Sequence, residues 1–533
     1  MKKVKTIILA CFVLCTFALG LGPVQAADDA AKYGGTYVLA SHGDATYLNP
    51  FFPGRNSDQN IIYNIHESLY RLNKSYEVEP VLAESYEVSG LSWIFHLKKG
   101  ILFHDGEEFT AEDVKYTYEW AMDPDNGAET KSRMSHIDSI TILDDYTIKI
   151  TTKEPYAPFM TSIANHRIVP KHYHEQMTAE EYNLKPMGTG PYKFKEWVPG
   201  DHVTLEAFED YWQGRPYIDF LKMVPIPEPS ATAISLETGN IHSSDWPLKP
   251  EDTLRVMESD KFHVYRGQAL AVNHYLMNHL NPFFQDKRVR QAMMYALSRK
   301  STVEHLMKGL AAVAHTNISP SLPWYEDDVK KYSYDPEKAK ELLAAAGWTP
   351  GPDGILVNED GERFQITCEL LMGDQLRGSQ AEMDSQLLKQ VGIEMKLQYN
   401  EMGVWVEKMV SGAKGEWNYD LSLMNWTFSR QTDPDSTEYF TPGGSNNWIN
   451  WTHPKMTELL KNGVTTLDPE KRFEIYSQAQ KIFAEEVPFL YIQFWDNVHF
   501  ISKEVQGVPD PSEVTWPFKP VHDIKEYWLA KDD

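Results

Sequence analysis

The hydrophobic period changes once along this chain, and that change limits the fold more than any other feature. In the first half, GGTYVLAS, SWIFHLKKG, SITILDDYTIKITT, PYKFKEWV and HVTLEAF alternate apolar and polar side chains, as half-buried strands do. After residue 283 the spacing becomes helical. DKRVRQAMMYALSRKSTVEHLM sets Val289, Ala292, Met293, Ala296 and Leu297 on one face. DPEKAKELLAAAGW starts with Asp335 as N-cap and Pro336 at the first helical position, and Gly347 ends it. Asp468-Pro469 repeats the start signal. SQAEMDSQLLKQVGIEMKLQY carries Met383, Leu387, Leu388 and Val391 on a helix, then Gly392 and a strand. Helix and strand alternate here, as in an α/β lobe. Near the C-terminus VPFLYIQFWDNV reads as a buried strand with a short tail after it. A β-rich half, an α/β half and a late return segment describe a chain that crosses twice between two lobes.

The N-terminus is a separate unit. Lys2, Lys3 and Lys5 precede an apolar run from Thr6 to Leu21, and Val24-Gln25-Ala26 supplies small residues for cleavage after Ala26. The run is short of the ~20 residues a spanning helix needs. Residues 1–26 are expected to be a secretory signal peptide. Cys11 follows a lipobox-like Leu9-Ala10, but too few apolar residues precede it, and Cys15 follows Leu14 where a small residue is required, so no lipid anchor is expected and a Gram-negative periplasm is the expected compartment. Cleavage removes two of three cysteines, leaves Cys368 alone and excludes an intrachain disulfide. Losing three lysines moves the net charge from −25 to −28, which argues against nucleic acid or an anionic membrane as partner. With 15 Trp and 28 Tyr the chain can line a pocket with aromatic rings.

FHDGEEFTAEDVKY packs six ionisable groups into ten residues, His104 to Asp113. Local structure accounts for most of them. Asp105-Gly106 signals a turn. Thr110 stands where an N-cap belongs, with Asp113 three residues on. Glu112 and Asp113 fall in the first helical turn, where the helix dipole favours negative charge. Glu107 and Glu108 are left as solvated turn residues. The stretch reads as scaffold.

From Leu82 to Asp123 the chain resembles the family 5 extracellular solute-binding proteins, the peptide, dipeptide and nickel receptors of ABC importers. KPMGTGPYKFKEWVPGDHVTLEAFEDYWQGRPYID, AVNHYLMNHLNPFFQDKRVRQAMMYALSRKSTV and DPEKAKELLAAAGW resemble further segments of that family, in the same order. The resemblance implies an α/β fold: a two-lobe, three-domain binding protein with a hinge. Domain I would comprise 27–70, 187–273 and 497–533; domain II, inserted and β-rich, 71–186; domain III, helix-rich, 274–496. It also implies a monomeric, non-enzymatic receptor that closes on a peptide or peptide-like solute and presents it to membrane permease subunits, without a cofactor. An oligosaccharide or a nickel complex are the alternative ligands. A secreted hydrolase is the remote alternative, because no G-x-S-x-G or H-E-x-x-H pattern is present. His166, His172 and His174 suggest a metal, but their stretch matches an ordinary domain II element of the family, so no metal site is expected.

Candidate ligand contacts follow from the resemblance. Dipeptide receptors of the family offer an Asp to the ligand's α-ammonium; here Ser429 stands at that position and Arg430 follows, which weighs against simple dipeptide capture. Asp433 and Asp435, in TDPDS, are the candidate substitutes. Arg377 lies where the family places an Arg for the ligand's carboxylate. Trp405, Trp426 and Trp448 are candidate stacking surfaces, Asn446 and Asn447 candidate amide contacts, and His42 belongs to the N-terminal loop that meets ligand in the family.

Overall fold

The computed structural model describes residues 32–52, 54, 56–73, 77–428, 432–514 and 523–530. The leader and its cleavage site lie outside these residues. Two long antiparallel strands, Phe262–Met277 and Phe489–Ser502, run through the middle of an eleven-stranded sheet. At one end Ile501 pairs with Ser243, and beyond lie Thr36–Ser41, Phe220–Pro225, His202–Ala207 and Tyr192–Val198. At the other end Val272 to Met277 pair with Leu421–Trp426, followed by Gln365–Leu371 and Glu394–Asn400. These are the two crossings that the change of period predicts, and the molecule is a two-lobe α/β fold.

Between the two ends the ladder breaks. Gln268 faces Asp496 and Val272 faces Phe494, so residues 269–271 oppose the single residue Trp495. An insertion of this kind bends a strand and frees its main chain. It falls where the strands of one lobe hand over to those of the other.

A separate four-stranded antiparallel sheet has the order Ala83–Ser89, Ser92–Leu97, Thr147–Thr152, Ile137–Asp144. Phe95, Phe103, Phe109, Val114, Tyr118, Ile148 and Ile150 fill its core. The helix Ala111–Met122 covers it, and its start is built as the sequence indicates. Thr110 Oγ1 accepts from the Glu112 N–H at 3.3 Å, and Asp113 Oδ2 accepts from the Thr110 N–H at 2.9 Å. Thr110→Ala is expected to cost about 1 kcal/mol in urea unfolding, whereas Glu107→Gln should leave stability unchanged. Glu108 differs from the sequence reading: it accepts from the Gly100 N–H at 2.8 Å and the Tyr146 hydroxyl at 2.7 Å, tying two turns together.

The helical run after residue 283 is also shorter than its period suggests. The helix Lys287–Ala296 stops before Leu297, which is extended. Helical turns resume at Arg299–Ser301 and Thr302–Leu306, where the buried Arg299 guanidinium donates to the carbonyls of Ala314, Tyr332 and Tyr491. Cys368 is buried in Gln365–Leu371, in phase with Ile366. No helix among the described residues is long and apolar enough to cross a membrane.

Candidate functional site

A cavity of about 390 Å³ opens between the lobes, within the ~300–1,000 Å³ typical of small-ligand sites. One wall is the end of helix Asn56–Ile65 and the residues after it, from Tyr63 to Glu67. Two glycines position it. A Cβ on Gly188 would come within 2.2 Å of the Ile65 carbonyl oxygen, and one on Gly190 within 2.4 Å of the Asn64 carbonyl oxygen. The GTGPY segment therefore needs glycine to let two backbones touch. His104 clamps it from the other side: its Nε2 donates to the Gly190 carbonyl at 2.9 Å and its Nδ1 accepts from the Gly188 N–H at 3.4 Å. That arrangement requires the neutral imidazole, and burial pushes its pKa down to about 4.

Glu67 anchors the same wall. Its carboxylate accepts from Thr189 Oγ1 at 2.9 Å, the Tyr211 hydroxyl at 2.8 Å and Trp212 Nε1 at 3.0 Å. Burial still pushes its pKa up. The Thr of GTGPY and the Tyr-Trp pair of YWQG thus converge on one buried acid. Arg71 is bound to Glu79 at 2.5 Å and to Asp523 at 3.2 Å.

The other walls come from distant segments. Asn165 and Arg167 lie on the segment whose Ile163, Ala164, Ile168 and Val169 pack in the core of the four-stranded sheet, and Trp246 follows the Ser243–Ser244 strand. Ala269, Leu270 and Ala271 are the break in the long ladder. Asn425 and Thr427 sit at the end of Leu421–Trp426, and Trp495 and Asn497 on the facing long strand. The site therefore combines strand main chain, amides, two indole rings and cations. Its residues come from both lobes, so a ligand filling it stabilises the closed arrangement.

The residues singled out in the sequence take several places. His42 stacks on Trp246, ring centroids 4.6 Å apart, and so backs the cavity wall. Arg377 lies behind the opposite wall. It is paired with Asp374, its Nη2 donates to Asn425 Oδ1 at 2.7 Å, and its guanidinium lies 5.3 Å from the Trp495 ring. Trp405 is buried in the second lobe and donates to Ser422 Oγ at 3.0 Å. Trp426 packs on Trp448 at 4.5 Å and Tyr439 at 4.9 Å. The Asn446 N–H donates to the Glu438 carbonyl, and the Asn447 side chain donates to the Thr441 and Trp451 carbonyls. Asp433 forms a buried two-bond pair with Arg472 at 2.6 and 2.7 Å. Ser429 and Arg430 lie outside the described residues. None of the described ones lines the cavity itself. The histidines do not converge: His166 packs on Phe51, His172 pairs with Asp105 at 2.8 Å, and His174 Nδ1 bonds the Tyr116 hydroxyl at 2.8 Å. Among the described residues no group of three or more His, Cys, Asp or Glu is arranged to hold a metal.

The lining residues Arg167, Trp246, Asn425, Trp495 and Asn497 escape a linear reading. Arg167 is masked by the histidines around it, and Trp495 and Asn497 by the apolar run of VPFLYIQFWDNV. The one local signal is the polar Asp-Asn pair that ends that run.

This fold and interlobe cavity define a solute receptor that encloses its ligand by hinge closure. The comparisons with known proteins agree. The model for bacterial extracellular solute-binding proteins, family 5, matches residues 77–448, and the chain belongs to that family. It is 31% identical over 558 residues to the oligopeptide-binding protein AppA of Bacillus subtilis, covering 100% of both chains. It is 28% identical over 526 residues to the dipeptide-binding protein of Escherichia coli, covering 92% of this chain and 96% of that one. The solved structure of the Bacillus AppA in complex with a nonapeptide superposes with a TM-score of 0.81 at 30% identity, over 94% of this chain and 100% of that one. NikZ of Campylobacter jejuni in complex with Ni(L-His) gives 0.79 at 25%, over 92% and 99%. The protein is a non-enzymatic substrate-binding component of an ABC transporter.

Proposed function

We propose that this receptor captures a peptide or peptide-like solute between its lobes and delivers it to the permease subunits of an importer. The observation that carries this reading is the break at residues 269–271. There a stretch of strand main chain, with one facing residue instead of three, lines the cavity beside the end of Leu421–Trp426. An extended peptide fits such an edge by adding main-chain hydrogen bonds, while Trp246 and Trp495 flank its side chains. Oligopeptide and dipeptide binding by the similar proteins supports the same reading.

The receptor works as a monomer in the periplasm after cleavage behind Ala26. Its first domain comprises 27–70, 187–273 and 497–533, its inserted domain 71–186 and its helix-rich domain 274–496. The four-stranded sheet falls wholly within 71–186, and the breaks near 273 and 497 fall inside the two crossing strands, which supports this division.

Thermal unfolding with pools of di- to pentapeptides tests the reading. A peptide present at a hundred times its Kd is expected to add about 2.7 kcal/mol of stability, with a smaller radius of gyration in X-ray scattering. A shift produced by oligosaccharides or nickel–histidine, and by no peptide pool, would overturn it.

A further inference from the structure

A line of hydrogen-bonded side chains joins the core of the second lobe to the cavity wall, and Arg377 sets its direction. Arg377 Nη2 donates to Asn425 Oδ1 at 2.7 Å, and its Nε donates to Asn273 Oδ1 at 3.3 Å. Asn273 and Asn425 face each other across the ladder between Phe262–Met277 and Leu421–Trp426, so one guanidinium spans a cross-strand pair. On the core side Asn273 Nδ2 donates to Gln380 Oε1 at 2.8 Å, and Gln380 Nε2 donates to Asp384 Oδ2 at 3.4 Å. Asn273, Gln380 and Asp384 are all buried, which holds that end of the line in place.

An amide side chain can usually be turned end for end, but these two cannot. A guanidinium only donates, so the oxygens of Asn273 and Asn425 must face Arg377 and their NH2 groups must turn away from it. For Asn273 that group is used by Gln380. Asn425 is half-buried and lines the cavity, and its Nδ2 donates to no atom among the described residues. Asp374 neutralises Arg377. What the line presents to the cavity is therefore an oriented, neutral donor and not a charge. Its place fits a main-chain acceptor: its partner Asn273 stands two residues beyond Ala271, the last residue of the ladder break.

We infer that Asn425 is a specificity-determining residue of this receptor: its Nδ2 donates to a main-chain carbonyl oxygen of the ligand, and Arg377 is a positioning residue that fixes this orientation by holding Oδ1. This rests on the peptide reading above and adds to it the ligand atom that the second lobe reads. A ligand N–H at the same place would meet a donor and be rejected, because neither group could be paired.

Calorimetry on the full chain tests this with the di- to pentapeptide that gives the largest thermal shift, and with copies of it in which one amide oxygen at a time is replaced by sulfur, a weaker acceptor. At one position the sulfur copy is expected to bind the unaltered protein about tenfold more weakly. Asn425→Asp keeps the shape and the bond to Arg377 but offers the cavity an oxygen, and there the penalty should fall to within about twofold. Asn425→Ala should give the same fall. Arg377→Gln can donate or accept, lets the Asn425 amide turn, and should give an intermediate penalty. The ratio of oxygen to sulfur affinity is the readout, since the larger size of sulfur and any purely structural loss act on both members of the ratio alike. A penalty at no position, or one that persists in both Asn425 variants, would overturn the assignment and leave the peptide reading standing. A penalty lost in the Asn425 variants but unchanged in Arg377→Gln would overturn the positioning role of Arg377. Binding of no peptide would overturn the assignment and the peptide reading together. Circular dichroism confirms that the variants fold.

Discussion

Between pH 6.5 and pH 4.5 the protein is expected to lose folding stability, by about 1.4 kcal/mol per pH unit for each proton that the unfolded chain takes up in excess. The cause is a set of histidines held neutral by the fold. Burial lowers His104, His174, His274 and His315 to about 4, His166 and His279 to about 3, and His66 well below its usual range. Five of the seven have a ring nitrogen without any partner: His66, His166, His174, His274 and His315. A proton added there would be a buried donor with no acceptor. The unfolded chain takes up these protons near pH 6.5 and the folded one does not, so stability is present above pH 6.5 and is lost as pH falls toward 4. Buried carboxylates oppose this. Burial raises Asp384 to about 7, and it also raises Glu67, Asp113 and Asp433, so each binds its proton more tightly when folded. The buried histidines outnumber these carboxylates, so the balance falls toward stability lost as pH falls. A circular dichroism titration measures it. A cooperative transition that begins only below pH 3.5 would show that these rings do not govern acid stability.

Asp433→Ala is expected to destabilise the second lobe by about 3–5 kcal/mol. Both side chains of the Asp433–Arg472 pair are almost fully buried, at 5% and 6% exposure. Arg472 also donates Nε to the Gly463 carbonyl at 2.7 Å and lies beside the rings of Trp324 and Tyr476, at 5.2 and 5.3 Å. Burial disfavours its charge, but the bonds and charge of Asp433 more than offset this and hold its pKa above the usual range. Removing the acid leaves a fixed, desolvated guanidinium without its partner. Replacing both residues by apolar ones of similar volume should recover most of the loss, because the pair repays little beyond its own desolvation. Urea unfolding of the single and double variants gives the coupling directly. Unchanged stability in Asp433→Ala, with ligand affinity lost, would return Asp433 to the ligand role that its place in the sequence suggested.

Local signals were legible along the chain because they depend on neighbours. Thr110 and Asp113 are three residues apart, and the capping box they suggest is present. Asp335 and Asp468 cap the helices Pro336–Ala345 and Pro469–Glu486. The helix Gln375–Gln390 shows where periodicity stops being sufficient. Met383 and Leu387 suggested its inner face, yet Gln380 and Asp384 are buried at 1% exposure and Met383 and Leu387 are only partly covered. The long strands make this possible: the Tyr275 hydroxyl donates to Asp384 at 2.8 Å and Asn273 Nδ2 donates to Gln380 at 2.8 Å. Polar residues enter a core where partners wait for them, and those partners are more than a hundred residues away.

By itself the sequence determined the strand and helix types, the two crossings, the caps and the family, because period and turn chemistry act over a few residues. Which charges are free and which are spent was decided only by the tertiary structure. Asp433 reads as a ligand acid until Arg472 is beside it, and Arg377 as a ligand cation until Asp374 and Asn425 bind it. Arg167 carries no mark in NHRIVPKHYH and joins the cavity wall only when its segment packs on Tyr63 and Ser68. Electrostatic pairing acts through space over a few ångströms, and that distance is set by the packing of lobes that the linear order separates.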